Sequence, residues 1–344
     1  MIPADLTTPP SSDPLQLYRH RDAIYSTDLL AAALVWLDFF TWLTGCPSTL
    51  DGICTGLSLH PRPVDVMLTL FKGMGLVEER DGVFSTSLVA REHLVSGSPW
   101  FLGPYYASMK ERSVTRDFVT VLRTGKPANW ASYKDEKAWA QAMEGEAFAR
   151  QFTAAMDCRG VYLGQALARS VDLAGCRRLL DIAGGSGIYS CALLAANPAL
   201  SGVVLEKSPV DRICRGEVDA RGYGSRIEVV TGDMFRDPWP RGADVHLISN
   251  VLHDWDFPEV RELLRRSAEA LPSGGMLLVH DVHINREKTG PLPNAQYSAL
   301  LMCITEGKCY SVGEMEGLLR EAGFGPAELR TTAADRSVLV CRRA

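Results

Sequence analysis

The residues best suited to chemistry are His253, Asp281 and His283. A neutral imidazole near pH 7 removes a proton from a phenol or an acidic carbon, which makes His253 a candidate general base. Asp281 and His283 lie two apart in a stretch that reads as a strand, so they share one face. Two readings follow. In one, two imidazoles and a carboxylate form the ligand set of a facial metal triad, for iron or a similar divalent ion such as zinc. In the other, Asp281 only orients His253, and His283 packs or caps. A second constellation is Asp181-Ile182-Ala183-Gly184-Gly185-Ser186-Gly187. Glycine has no Cβ to block approach, so such a turn brings backbone N–H groups close to a ligand. The same kind of turn also simply joins strands to helices.

The elements that must position these residues follow a strand–helix rhythm. Leu179 to Ile182 reads as a short buried strand, and Ser190 to Ala196 as the start of a helix. Gly202 to Leu205 is apolar and ends at Glu206. Ile227 to Val230 runs into Thr231-Gly232-Asp233-Met234, and Asp244 to Ile248 runs into Ser249-Asn250-Val251-Leu252-His253-Asp254-Trp255. Gly275 to Val279 runs into His280-Asp281-Val282-His283, and Arg336 to Arg342 reads as the final strand. Every strand before the last ends in polar or acidic residues. In an open parallel sheet, ligands bind outside the carboxyl ends of the strands, so the chemistry should lie along that edge.

These motifs together resemble the class I S-adenosylmethionine (SAM) methyltransferases. Asp181 to Gly187 is similar to their D-x-G-G-G-x-G loop, with Ala183 in place of the first loop glycine, where the added methyl is expected to be tolerated. Leu252-His253-Asp254-Trp255 looks like the L-H-D-W of plant caffeate-type and bacterial antibiotic O-methyltransferases, and Glu316 to Phe324 resembles their closing helix. The resemblance implies a SAM site built from Asp181, Gly184, Gly185, Gly187, Glu206 (ribose), Asp233 with Met234 (adenine) and Trp255. It implies His253 as general base, with Asp281 at the position of a flanking acid. The family's second flanking glutamate falls near Cys309 and is absent or replaced by Glu306. Phe152 and Met156 match the F-x-x-A-M segment that roofs the acceptor pocket, and Asn250 is placed with the substrate residues. Arg159 and Lys308 are candidates to clamp a substrate carboxylate, and each is equally readable as a surface charge. Resemblance to the branch that methylates carbon beside a keto group implies a bound divalent metal, which would acidify the β-carbon of an α-keto acid.

Before these motifs the chain is mostly helical. Met1 to Pro14 is rich in Pro, Ser and Thr and is expected to be disordered. Tyr25 to Leu43 reads as one helix, apolar almost all round, which must be buried and is expected to cross between subunits. Cys46 to Ser58, Pro63 to Gly75 and a hairpin turning at Asp81-Gly82 form a winged-helix pattern. Such a domain binds DNA or has become a dimerisation module, and Asp65 with few basic residues favours the second. Leu88 to Val161 is expected to be mostly helical, with a linker near Gly125-Lys126-Pro127 and apolar surface from Trp130, Tyr133, Trp139, Met143 and Phe148.

The expected fold is therefore α/β. A disordered tail (1–14) precedes a mostly α winged-helix dimerisation domain (15–100), a helical linker and pocket roof (101–160) and a Rossmann-like SAM-binding domain (161–344). A net charge of -5 argues against a nucleic-acid or anionic-membrane partner. The polar N-terminus shows no signal peptide, and no apolar run spans a bilayer. The 9 scattered cysteines suggest a reducing cytoplasm. The expected activity is SAM-dependent methylation of a small-molecule acceptor in natural-product metabolism, by a homodimer. It is either O-methylation of a phenol or metal-assisted C-methylation of an α-keto acid. A winged-helix transcription regulator with a SAM-sensing domain is the alternative.

Overall fold

The computed structural model describes residues 5–129, 135, 138, 141 and 146–344. Trp130, Tyr133, Trp139 and Met143 lie outside the described residues. The chain divides into two compact units. The helical unit takes residues 17–138 and also 283–313. The sheet unit takes 1–16, 139–282 and 314–344. The division expected from the sequence ran in chain order; here a stretch of 31 residues from the C-terminal half (283 to 313 inclusive) belongs to the helical unit.

In the helical unit the apolar stretch after Tyr25 is two helices, α1 (Ser26–Val35) and α2 (Phe39–Gly45). Asp38, at φ +46°, breaks them. Leu29 to Leu34 are buried within this unit, and Phe39, Phe40 and Phe71 form an aromatic cluster with ring centroids 5.2–5.9 Å apart. The apolar stretch thus satisfies its burial inside one chain, which removes the reason for expecting it to cross between subunits. Thr49 caps α3 (Leu50–Leu57), its hydroxyl accepting the Gly52 N–H at 3.2 Å. Proline opens α4 (Pro61–Gly73). Strands β1 (Val77–Arg80) and β2 (Val83–Thr86) pair through the Asp81-Gly82 turn, both residues at positive φ, as a tight hairpin requires. The winged-helix order is therefore present.

The polar residues of α4 are committed inside this unit. Arg62 is buried and donates to the carbonyls of Gly125 and Gly307. Asp65 accepts from Lys308 Nζ at 2.6 Å and from Lys288 Nζ at 3.0 Å. Burial pushes the Asp65 carboxyl up, but the two ammonium groups outweigh it and hold it below the usual range. Lys308 is thus an internal ion-pair partner, which corrects its reading as a substrate clamp.

The sheet unit begins with a tail that differs from the expected disorder. Asp5–Pro14 has no regular element, yet Leu6 is buried, Gln165 Nε2 donates to the Asp5 carbonyl at 2.9 Å, and Tyr162 donates to Asp13 at 3.3 Å. Both partners lie on the long helix α6 (Glu146–Ser170), α5 being Ser113–Thr124 of the helical unit. A seven-stranded sheet follows: β3 (Arg178–Ile182), β4 (Ser201–Glu206), β5 (Ile227–Thr231), β6 (Val245–Ser249), β7 (Met276–Asp281), β8 (Glu328–Thr331) and β9 (Ser337–Arg342). The spatial order is β5-β4-β3-β6-β7-β9-β8, with all strands in one direction except β9, which runs antiparallel to both of its neighbours. The order reverses between β3, which pairs with β4, and β6, so the crevice for a ligand opens outside the ends of these strands. The helices α7 (Ile188–Ala196), α8 (Val210–Ala220) and α9 (Phe257–Ala270) connect the parallel strands. Among the described residues no single helix is long and apolar enough to cross a membrane.

Candidate active site

At the end of β3, Asp181 is buried and accepts from Ser190 Oγ at 2.7 Å, which ties the strand to α7. Burial pushes its carboxyl up to about 7 against the pull of that hydrogen bond. The loop between them needs its glycines: a Cβ at Gly184 would stand 2.6 Å from Asp181 Oδ2 and 2.9 Å from Val204 Cγ1. Ala183 holds φ +54°, a left-handed conformation that costs an alanine about 1 kcal/mol.

Glu206 closes this loop from the end of β4. Its two carboxylate oxygens accept the N–H groups of Gly185 at 2.8 Å and Lys207 at 2.7 Å. Burial pushes it up to about 7, while both N–H bonds favour its ionised form. Beyond β5, Asp233 accepts the Phe235 N–H at 2.8 Å and pairs with Lys207 Nζ at 3.2 Å. Burial raises its pKa, and these partners more than reverse the shift. Lys207 escaped the sequence reading, although it directly follows Glu206. Met234 holds the Trp239 indole through its carbonyl at 2.8 Å, and the Trp255 ring meets Phe235 edge-on at 4.7 Å.

The end of β6 turns sharply. Asn250 is left-handed (φ +53°), and its N–H donates to the His280 carbonyl at 2.8 Å. Its side-chain amide donates to Tyr189 Oη and Ser249 Oγ, both at 3.0 Å. The Ser249 hydroxyl meets His280 Nδ1 at 2.9 Å. The bend sets the single turn Leu252–Asp254 so that the buried His253 ring reaches Asp281, with Nδ1 2.5 Å from Oδ1. That carboxylate oxygen also accepts the Val282 N–H at 2.8 Å. Asp254 lies 3.7 Å from His253 Nε2, outside hydrogen-bond range. Burial pulls the His253 pKa down, but the charges of Asp281 and Asp254 and the Asp281 hydrogen bond prevail and raise it.

The expected metal set is not assembled. Strand β7 ends at Asp281, so the two-residue strand period does not extend to His283. His283 falls in the helical unit, where its carbonyl accepts from Asn294 Nδ2 at 2.7 Å. Among the described residues, no three His, Cys, Asp or Glu side chains are placed to hold a metal ion. The residues do not fit the group.

Two glycines of α6 set the last wall. A Cβ at Gly160 would lie 2.3 Å from Ile188 Cγ2, and one at Gly164 would lie 3.0 Å from the Ala192 Cβ. Successive contacts rise together along both helices, so α6 and α7 run parallel where they touch. Met156 and Phe152 continue the same stripe at steps of four residues, about 6 and 12 Å further back along the axis. Ile188 is the first residue of α7, so this half of the stripe passes beyond that helix, on the side of the glycine loop.

The O-methyltransferase domain model matches residues 117–325. The chain belongs to this O-methyltransferase family. It is 31% identical over 328 residues to a 3-hydroxy-5-methyl-1-naphthoate 3-O-methyltransferase of Streptomyces sahachiroi, covering 94% of this chain and 93% of that one. It is 34% identical over 164 residues, 47% of its length and 45% of the relative's, to an L-tyrosine C(3)-methyltransferase of Streptomyces lavendulae. Among solved structures it resembles an O-methyltransferase family 2 protein of Planctomyces limnophilus in complex with apigenin, at TM-score 0.91 and 32% identity over the whole of both chains. The protein is thus a SAM-dependent methyltransferase of the kind that acts in natural-product biosynthesis, by O- or C-methylation. Nothing in these likenesses supports a transcription regulator.

The methyltransferase's own residues suit SAM. The Gly184 to Gly187 loop leaves room for close backbone approach, Ser186 Oγ is buried with no hydrogen-bond partner among the described residues, and the acids Glu206 and Asp233 lie at and just beyond the ends of neighbouring strands.

Proposed function

We propose that the methyltransferase acts on a hydroxyl oxygen of a small aromatic acceptor, with His253 as general base. The observation that carries this is the 2.5 Å contact between His253 Nδ1 and Asp281 Oδ1. With Asp281 ionised, Nδ1 donates to it and the lone pair of the neutral ring falls on Nε2. Nε2 then accepts the acceptor's hydroxyl proton, and the oxygen becomes the nucleophile. SAM supplies an electrophilic methyl on a sulfonium that leaves as a neutral thioether. Gly184, Gly185 and Gly187 hold its amino-acid end, Glu206 its ribose, and Asp233, Met234 and Trp255 its adenine side, all in line with the acceptor. Phe152 and Met156 roof the acceptor, and Asn250 orients it. The phenolic ligands named for the Streptomyces sahachiroi and Planctomyces proteins support an aromatic hydroxyl.

The test is methyl transfer to 3-hydroxy-2-naphthoate from 13C-methyl SAM, before and after dialysis against chelator. The expected product carries its label on oxygen, and dialysis leaves turnover unchanged. A carbon-bound label, or turnover lost to chelator and restored by a divalent ion, overturns the reading.

We propose further that the protein is a homodimer with no nucleic-acid partner. In one chain Leu88, Val89, Trp100, Leu102 and Tyr105 stand exposed, Tyr105 at 77%. Such apolar surface marks a protein interface. Light scattering is expected to give twice the chain mass at micromolar concentration, and a stable monomer would refute it.

A further inference from the structure

We propose that Arg266 of α9 is a positioning residue of the cofactor site, which fixes the loop after β5 in the form that takes the adenine. The inference rests on the adenine reading of Asp233 and Met234 above and adds the residue that shapes their loop. Residues 233–239 form no helix or strand, so their backbone groups need partners from elsewhere. The loop supplies some of these itself. The Asp237 N–H donates to the Asp233 carbonyl at 3.0 Å, and Asp237 Oδ2 accepts the Asp233 N–H at 2.8 Å. Asp233 Oδ1 accepts the Phe235 N–H, and the Trp239 indole donates to the Met234 carbonyl. The carbonyls of Phe235 and Asp237 are met from outside the loop. Arg266 Nη1 donates to the first and Nη2 to the second.

One planar guanidinium thus fixes two carbonyls of the loop at a defined spacing. Its carbon lies 5.6 Å from the centre of the Trp239 ring, so the same group also steadies the residue bonded to Met234. Position along α9 explains why this arginine, and not its neighbour, does so. Arg265 is exposed and pairs with Glu262 at 2.7 Å and with Glu269, both on α9 itself. Arg266 is half-buried beside Ser267, whose hydroxyl meets His246 Nδ1 of β6 at 3.0 Å. That contact anchors α9 to the sheet at the point from which Arg266 reaches the loop. A loop released from Arg266 keeps Asp233 and Met234 but loses the geometry in which they are presented. Arg266 therefore acts through these two residues, as orientation of a bound ligand requires.

The experiment measures binding of S-adenosylhomocysteine and of S-inosylhomocysteine, in which an oxo group replaces the adenine amino group, to the full-length protein. The wild type is expected to bind the adenosyl ligand about 10-fold more tightly, the scale of one hydrogen bond to a charged acceptor. Asp233→Ala removes that acceptor and abolishes the preference. Arg266→Gln is expected to cut the preference to below about threefold, since a loosened loop no longer presents Asp233 to the amino group. Arg266→Lys keeps the charge but replaces the two-nitrogen fork by one nitrogen, and it carries the same test should the glutamine variant not fold. The ratio of the two affinities is the decisive readout, because a residue that served stability alone would weaken both ligands equally. A ratio that keeps its wild-type value in the Arg266 variants but collapses in Asp233→Ala overturns the role of Arg266 and leaves the adenine reading standing. No preference in the wild type, or a preference that survives Asp233→Ala, sinks the adenine reading and this proposal with it.

Discussion

Replacing His253 by alanine is expected to lower kcat by about 10²- to 10⁴-fold, the usual contribution of a positioned base. SAM affinity should not change, because the glycine loop and Glu206 are built on other strands. The pH profile carries more information than the rate alone. Only the deprotonated ring accepts a proton, so kcat/KM rises with pH through the His253 pKa. That pKa lies above the ordinary 6.5, because the charges of Asp281 and Asp254 outweigh burial. Asp281→Asn removes the larger of these charges, so burial gains weight and the acid limb moves to lower pH. The plateau falls as well, since nothing then holds the proton on Nδ1. A limb that stays in place in Asp281→Asn, or an alanine variant with undiminished kcat, would end the assignment of the base.

Glu206→Ala is expected to weaken SAM binding by about 1–3 kcal/mol, the scale for lost charge-assisted hydrogen bonds. The residue acts twice. It is proposed to accept from the ribose hydroxyls, and it already holds the Gly185 and Lys207 N–H groups. Asp233→Ala should cost less, because the loop keeps its anchor. Calorimetry that finds unchanged affinity in both variants removes both acids from the cofactor site.

The sheet was legible because each parallel strand is a short apolar run that stops at a polar residue, and the observed ends fall within two residues of those read from the sequence. The loop, Glu206, Asp233 and His253 were visible because each sits at such an end. What escaped depends on contacts far apart in the chain. Which of the two readings of Asp281 and His283 holds, a metal set or a carboxylate that orients His253, turns on where β7 stops, and nothing local marks that residue. The break at Asp38 hides inside an unbroken apolar pattern, since one aspartate does not announce a left-handed backbone. Lys308 looked available because its partner, Asp65, is 243 residues away. Asp5–Pro14 has the composition of a disordered tail, and its order comes from hydrogen bonds to α6 that composition does not record.

Gly160 gives the protein a dial that never meets the substrate. The two helices touch where residue 160 has no side chain, and a single methyl there would overlap Ile188. Any larger residue must displace the Ile188 side chain or lift α6 away from α7, and Met156 and Phe152 ride on the same helix. One substitution at this helix contact would thus shift both residues proposed to roof the acceptor, without touching the base. Drift at a helix contact can retune the substrate range of such an enzyme while its methyl-transfer machinery stays intact.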